Sequence, residues 1–392
     1  MHITILLFLI LAMQSFQLRA EKSYPIPGAW QTDQYFHLLE NKRVAVAGNH
    51  TSMIVDTHLV DSLLSAGIQV VRVFSPEHGF RGVAAAGELV DSSIDDRTGL
   101  PIISLYGANR RPTAKQLEDL DVILFDIQDV GTRFYTYIST MTYIMEEAAR
   151  QGIPMIILDR PNPNGHYVDG PLLKPEYSSF VGLHPIPIVH GMTVGEYALM
   201  VNGEAWLPEG LQCEVHVVKV KNYTRLTRYN VSLSPSPNLP NMQAIYLYPS
   251  LCLFEGTVIS LGRGTNKPFQ VYGHPDLPEQ KFAYRFIPQS VSAAPNPPQL
   301  GKKCNGIDLS KIPLEELRNT NQINLDYLLN AYHHFPEKEH FFNNFFERLT
   351  GTSELRRQII AGYNAVEIRA SWQEDLNSFH KIRSKYLLYP DF

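Results

Sequence analysis

Residues 126–137 read DIQDVGTRFYTY and gather more polar groups than a protein core can use. The segment holds two carboxylates, Asp126 and Asp129, together with the guanidinium of Arg133 and the phenol of Tyr135. It follows an apolar, strand-like run and precedes a helical pattern. Because ligands of open α/β sheets bind beyond the carboxyl ends of the strands, this segment is a candidate binding site. The alternative is a capped helix start, with one residue of the segment as the N-cap.

Two further loops carry a glutamate next to glycines. Residues 75–82 read SPEHGFRG after a predicted strand, and residues 255–265 read EGTVISLGRGT. Glycine permits tight turns and a close approach of the backbone to a ligand, and a positioned carboxyl group can transfer protons. Glu77 and Glu255 are therefore candidate catalytic residues. The alternatives are a polar surface loop for the first segment and a hairpin turn with salt-bridged charges for the second.

Strands and helices must position these loops, and the apolar pattern predicts both. Five strand-like runs alternate with helical patterns, which implies right-handed βαβ crossovers and a mainly parallel sheet. The predicted strands are 43–47, 70–74, 101–105, 121–125 and 154–158. We therefore predict an α/β fold with a Rossmann-like, mainly parallel sheet and helices on both faces. The polar loops that follow the strands would then share one edge of the sheet.

Composition and missing motifs exclude several functions. The 392 residues are 44% hydrophobic and 19% charged, and the net charge of -5 gives no basic surface for nucleic acid. Neither nucleotide-binding glycine motif is present, and G-x-S-x-G and H-E-x-x-H are also missing. The three cysteines, Cys213, Cys252 and Cys304, have no metal-site spacing and allow at most one disulfide. We therefore expect a metal-independent reaction without a cofactor.

The N-terminus is typical of a secretory signal peptide. Residues 1–20 contain a short apolar stretch followed by polar residues and a possible cleavage site, so we expect a secreted or periplasmic protein. Because no Lys or Arg precedes the stretch, an uncleaved anchor is the alternative. No later segment is apolar enough to span a membrane. The proline-rich segment 234–242 divides the remainder. We predict domains at 21–240 and 241–392.

Five motifs occur together in this chain: FSPEHGFRG at 74–82, DIQDVGTRFYTY at 126–137, DRPNP at 159–163, HGMTVGE at 190–196 and EGTVISLGRGT at 255–265. In this order they resemble the exo-β-N-acetylmuramidase family of bacterial cell-wall recycling enzymes. The resemblance implies a Rossmann-like domain, a smaller, intimately packed second α+β domain, and an active site in the cleft between them. It also implies an activity, the release of N-acetylmuramic acid from the non-reducing end of peptidoglycan fragments.

That activity fits the two glutamates. A glycosidase commonly needs one carboxylic acid to protonate the leaving oxygen and a second group to attack or stabilise the anomeric centre. We predict Glu77 as the general acid and Glu255 as the second carboxylate, with the substrate's own 2-acetamido group as an alternative nucleophile. The family usually has Asn where this chain has Val258, so an amide contact to the sugar is expected to be missing.

The expected substrate is a peptidoglycan-derived muropeptide or disaccharide, whose lactyl carboxylate distinguishes muramic acid from N-acetylglucosamine. We expect Arg133 or Arg263 to hold that carboxylate, because a guanidinium pairs with it bidentately. The alternative is that either arginine ties the two domains together. The predicted substrate-binding residues are His78, Asp126, Asp129, Arg133, Tyr135, Arg160, Asn162, His190, Arg263 and Thr265.

Two other functions stay open. A cell-wall amidase or esterase would act on the same polymer, but it would need a nucleophile or metal site that the sequence does not show. A non-catalytic periplasmic sugar-binding protein would also have two domains around a ligand. The pair of glutamates in glycine-containing loops favours catalysis over binding alone.

Overall fold

The computed structural model describes residues 24–77, 79–81 and 93–392, and a seven-stranded sheet forms the centre of the first part. The order across the sheet is β5-β6-β4-β1-β7-β8-β9, with every pair parallel except β5 and β6. Its strands are β1 (Val44–Gly48), β4 (Val70–Ser75), β5 (Ser93–Ile94), β6 (Pro101–Ser104), β7 (Val122–Asp126), β8 (Met155–Leu158) and β9 (Val215–Val218). A small antiparallel pair, β2 (Met53–Ile54) and β3 (Thr57–His58), lies outside it.

The central strands are apolar because both of their faces are covered. Every residue of β1 and β7 is buried. The connecting helices are α1 (Leu59–Ser65), α2 (Ala114–Leu117), α3 (Tyr137–Gln151) and α4 (Val194–Gly203). Helix α4 begins with a capping box in which Thr193 and Glu196 each accept the other's backbone N–H.

The strand order creates a crevice at the carboxyl edge of the sheet. From β1 the chain builds β4 and β6 on one side and then returns to build β7, β8 and β9 on the other. The connections that follow the neighbouring strands β1 and β7 therefore run to opposite sides of the sheet, which leaves a crevice between them. This is the topological switch point at which open α/β sheets bind their ligands.

The second part covers this edge. It contains a three-stranded antiparallel sheet with β12 between β10 and β11. Its elements are α5 (Met242–Leu251), a 3₁₀ turn (Cys252–Gly256), β10 (Val271–His274), β11 (Tyr284–Phe286), β12 (Cys304–Asp308), α6 (Leu314–Asn319), α7 (Asp326–His334), α8 (Phe346–Thr350), α9 (Glu354–Ile360), α10 (Ala365–Ser371) and α11 (Gln373–Arg383). The predicted α/β fold with a smaller second α+β domain is confirmed.

One hydrophobic core runs through both parts. Phe125 of β7 and Met141 of α3 belong to the same buried cluster as Phe254 and Phe341 of the second part. The C-terminal end also returns to the first part, where the hydroxyl of Tyr389 donates to Asp159 at 2.5 Å. The two parts are therefore joined by a packed apolar interface.

The three cysteines are free and buried. Within the described ranges, we find no helix with the length and apolar character needed to cross a membrane. The predicted signal peptide at residues 1–20 lies outside the described residues.

Candidate active site

A cavity of about 650 Å³ lies where the carboxyl edge of the large sheet meets the second part. Its size is that of a small-molecule site. The first part contributes the loops after β4 and β6 and the start of α3, and the second part contributes the 3₁₀ turn and helix α8. The lining residues are Glu77, Tyr106, Arg110, Phe134, Tyr135, Thr136, Tyr137, Ser178, Ser179, Phe180, Val181, Ser236, Asn238, Leu239, Tyr248, Glu255, Arg263, Phe269, Phe345 and Arg348.

Glu77 reaches the cavity from the end of β4. The hydroxyl of Thr136, at the start of α3, donates to its Oε2 at 3.4 Å. The phenol of Tyr106, which follows β6, also interacts with Glu77. Burial raises the pKa of Tyr106, and the neighbouring Glu77 carboxylate raises it further. Glu77 therefore lies among hydroxyl groups at the carboxyl edge of the sheet. Phe80, three residues further along the chain, packs against His58 with ring centroids 4.7 Å apart.

Glu255 reaches the same cavity from the second part. It lies in the 3₁₀ turn after α5, and Arg263 donates to its Oε1 from both Nε and Nη2, the Nε distance being 3.1 Å. Its Oε2 lies 3.8 Å from Sγ of the buried Cys252. Glu255 is thus paired with a guanidinium. The two predicted catalytic carboxylates face one cavity.

Aromatic rings form the cavity floor. Tyr135 packs edge-on against Tyr137 at 4.8 Å and against Tyr248 at 5.7 Å, and Tyr248 in turn packs against Phe269 at 5.0 Å. The hydroxyls of Tyr135 and Tyr137 both donate to the carbonyl oxygen of Pro235, at 2.9 and 3.0 Å. These bonds fix the rings and hold the proline-rich segment against the first part.

Asp126 and Arg160, both predicted to bind substrate, pair with each other away from the cavity. Nε and Nη2 of Arg160 donate to the two carboxylate oxygens of Asp126 at 2.6 and 2.8 Å. Asp126 is completely buried and Arg160 nearly so. The pairing follows from the topology, because Asp126 is the last residue of β7 and Arg160 lies two residues beyond the end of the neighbouring strand β8.

Asp129, Asn162 and His190 hold the strand-end loops together and do not line the cavity. Oδ1 of Asp129 accepts the backbone N–H of Gly131 at 2.6 Å. Gly131 has a φ of +79°, and a Cβ there would lie 2.1 Å from Oδ1 of Asn162, so only glycine fits beneath that side chain. Nδ2 of Asn162 and Nδ1 of His190 bind the backbone of Met192, at 2.8 and 3.3 Å.

Arg133 is buried and does not reach the cavity. Its Nη1 donates to the carbonyl oxygens of Pro171 and Ile186 at 2.9 and 2.7 Å, and its Nη2 donates to that of Leu349 at 2.9 Å. The last bond crosses to helix α8 of the second part. This geometry matches the alternative in which the arginine ties the two domains together, through carbonyls instead of a salt bridge. Of the two arginines that we expected to hold the lactyl carboxylate, Arg263 lines the cavity and Arg133 does not.

Three other positions lie away from the cavity or cannot be placed. Thr265 donates to the carbonyl oxygen of Gly262 at 2.6 Å and shapes its own turn. Val258, which replaces the family's Asn, is half-buried and is not one of the described residues on the cavity. His78 lies outside the described residues.

The comparisons with known proteins fit this two-part site. Two family models, described as the N-terminal and C-terminal parts of exo-beta-N-acetylmuramidase NamZ, match residues 44–243 and 246–389. The chain belongs to the exo-β-N-acetylmuramidase family.

Relatives of this muramidase-family chain cover almost all of its length. A Bacillus subtilis (strain 168) protein, peptidoglycan beta-N-acetylmuramidase NamZ, is 39% identical over 374 residues, which are 91% of this chain and 89% of that protein. A crystal structure of a DUF1343 family protein from Bacteroides fragilis NCTC 9343 is 52% identical with a TM-score of 0.88, covering 94% of this chain and 100% of that one. A second from the same organism is 31% identical with a TM-score of 0.77, covering 93% and 99%.

The sequence prediction missed several cavity residues of this family member. Tyr106 directly follows the predicted strand 101–105, but no motif around it indicates chemistry. The proline-rich segment was interpreted only as a domain boundary, yet Ser236 and Asn238 line the cavity. The cavity arginines Arg110 and Arg348 lie in no recognisable motif, and only the folded structure brings them to the site.

The buried Asp129 predicts that stability depends on pH. Burial raises the pKa of Asp129 from 3.8 to about 7. The folded protein therefore keeps this proton between about pH 4 and pH 7, where the unfolded chain has lost it, so stability falls as pH rises through this range. In the wild type, the free energy of unfolding should therefore fall between pH 5 and pH 8. In Asp129→Asn we expect this fall to be smaller by on the order of 3 kcal/mol. Urea denaturation of both proteins at the two pH values measures the difference.

A second buried acid provides the control for this measurement. Burial also raises the pKa of Asp159, to about 6. Asp159 is present in both proteins, so its contribution cancels when the variant is compared with the wild type. Equal pH dependence in the two proteins would contradict the assignment to Asp129.

Proposed function

We propose that this protein is an exo-acting glycoside hydrolase that releases N-acetylmuramic acid from the non-reducing end of peptidoglycan fragments. The observation that carries the proposal is the convergence of Glu77 and Glu255 on one cavity in a member of the exo-β-N-acetylmuramidase family. The two carboxylates come from different parts of the chain, so the cavity between them can hold the scissile bond. The substrate we propose is a disaccharide or a muropeptide.

In this mechanism Glu77 is the general acid. It lies beside the hydroxyl groups of Thr136 and Tyr106, which can orient its carboxyl group. A carboxylic acid placed this way can give its proton to the glycosidic oxygen as the bond breaks. Glu77 then holds the negative charge and can accept a proton from the incoming water.

Glu255 has the complementary role. Glu255 is held by the guanidinium of Arg263, and we assign to it the stabilisation of positive charge. It faces the charge that develops at the anomeric centre of an oxocarbenium-like transition state. Glu255 can either attack that centre or orient the substrate's 2-acetamido group as the nucleophile, and both routes use the same carboxylate.

The cysteine thiols give no support to the amidase or esterase alternative. Burial raises the pKa of Cys213 and of Cys304 to about 12, and it raises the pKa of Cys252 as well. Thiols of this kind are poorly ionised at neutral pH and are weak nucleophiles. The paired carboxylates therefore remain the best candidates for the chemistry.

We also propose that the protein acts outside the cytoplasm, where its polymer substrate lies, after removal of residues 1–20. One experiment tests location and function together. The secreted protein is purified, its intact mass is measured, and it is incubated with a chromogenic glycoside of N-acetylmuramic acid. We expect a mass that lacks residues 1–20 and release of the aglycone. A protein that binds the glycoside without releasing aglycone is the sugar-binding alternative and would contradict the proposed hydrolase.

A further inference from the structure

The segment 178–181 contacts two cavity arginines that come from different parts of the chain. Cζ of Arg110, which follows β6, lies 4.5 Å from the centroid of the Phe180 ring. Nη1 of Arg348, in helix α8, donates to the carbonyl oxygen of Ser178 at 3.2 Å. Positions two apart in a chain are separated by at most about 7 Å, so the two guanidinium groups are held by neighbouring positions of one segment.

The segment 178–181 is held in place by hydrogen bonds and by ring stacking, and so it can position the two arginines. Ser179 and Gly182 exchange both of their backbone hydrogen bonds at 2.9 Å, which closes a tight turn. The ring of Phe180 is buried and stacks on Tyr143 of α3 with centroids 6.0 Å apart. A cation over an aromatic face is attracted by the ring and held in position. Both guanidinium groups are therefore presented at the mouth of the cavity on an ordered turn.

The charges of the cavity leave these two arginines available. Its charged residues are the two glutamates and three arginines, and Arg263 is paired with Glu255. No carboxylate of the described residues lies within salt-bridge distance of Arg110 or Arg348, and both side chains are exposed. Arg133, the other arginine expected from the sequence, is buried among carbonyl oxygens. The mouth of the cavity thus presents two cations that suit an anionic ligand group.

We propose that Arg110 and Arg348 bind the lactyl carboxylate of the muramic acid residue and so determine the preference for muramic acid over N-acetylglucosamine. This inference rests on the proposed function. The lactyl group is an ether at C3, two ring positions from the anomeric carbon that must meet the glutamates. A sugar placed with its anomeric carbon at Glu77 can therefore extend its lactyl carboxylate away from the reacting centre, to the exposed arginines. Guanidinium groups bind carboxylates through strong, charge-assisted hydrogen bonds.

The test compares substrates with and without a free carboxylate. Arg110→Gln, Arg348→Gln and the double variant are assayed with chromogenic glycosides of N-acetylmuramic acid, its lactyl methyl ester and N-acetylglucosamine. We expect the double variant to lose about 10- to 100-fold in kcat/KM on the muramic acid glycoside, mainly through a higher KM. Its kcat/KM on the other two glycosides should stay within about threefold of the wild type.

The control is Arg357→Gln, because Arg357 is an exposed arginine of α9 that does not line the cavity. This variant should keep the wild-type ratio of muramic acid to N-acetylglucosamine hydrolysis. If the double variant also keeps that ratio, the assignment of the two arginines is overturned while the hydrolase proposal stands. If the wild type cleaves none of the three glycosides, the proposed function itself fails, and this inference fails with it.

Discussion

Replacing Glu77 with Gln is expected to lower the turnover of an unactivated muramic acid disaccharide by about 10² to 10⁴, the usual contribution of a general acid. The amide keeps the size of the side chain and can still contact Thr136, but it has no acidic proton to transfer to the leaving oxygen. A nitrophenyl glycoside needs little protonation, so its turnover should fall much less. Steady-state kinetics on both substrates measures this difference.

The pattern across the two substrates separates the roles of the glutamates. Glu255→Gln removes the negative charge opposite the anomeric centre, so it should slow both substrates to a similar extent. Glu176→Gln is the matched control, because Glu176 is exposed and does not line the cavity. If Glu77→Gln slowed both substrates equally, Glu77 would be a nucleophile or base, and the acid would have to be Glu255. If activity barely changed on either, Glu77 would be structural.

The second large effect is expected on stability. Asp126→Ala leaves the buried guanidinium of Arg160 without its counter-ion, and removing one partner of a buried ion pair typically costs about 3 to 5 kcal/mol. We expect a loss of that size in the free energy of unfolding, measured by urea denaturation. Because Asp126 does not line the cavity, the protein that remains folded should keep the wild-type KM.

Two further variants test the cause of this loss. Asp121→Ala removes the partner of Arg43 just before the same strand, where both side chains are partly exposed and screened by solvent, so it should destabilise the protein far less than Asp126→Ala. The double variant Asp126→Leu/Arg160→Met removes both charges and should be more stable than Asp126→Ala alone. A stable Asp126→Ala protein with a raised KM would show instead that Asp126 binds the substrate, as the sequence suggested.

The central strands could be predicted from sequence because parallel strands buried on both faces have continuous apolar sequences. The predicted strands at 43–47 and 121–125 match β1 and β7 to within one residue at each end. The glutamates could also be found, since each stands at a chain reversal beside glycines. These features depend on local pattern, which a single sequence contains.

The partners of the strand-end side chains could not be predicted in the same way. Loops that follow neighbouring strands lie side by side, so their polar groups can bind one another as well as a ligand. Asp126 and Arg160 pair directly, and Asp129 and Asn162 hold the two sides of Gly131. The segment 178–181 has no recognisable motif, yet it contacts two cavity arginines that are distant in sequence. Both outcomes are decided by tertiary packing.

The bond from Arg133 to Leu349 has a consequence for how a glycan enters. It fixes helix α8, and with it Arg348, at one distance from the large sheet, and the continuous core allows the two parts little independent movement. The cleft therefore has its working width before substrate arrives. In a protein whose two domains close around a sugar, part of the binding free energy is used for that closure. Here the contacts with the sugar remain available for distorting the ring toward the transition state.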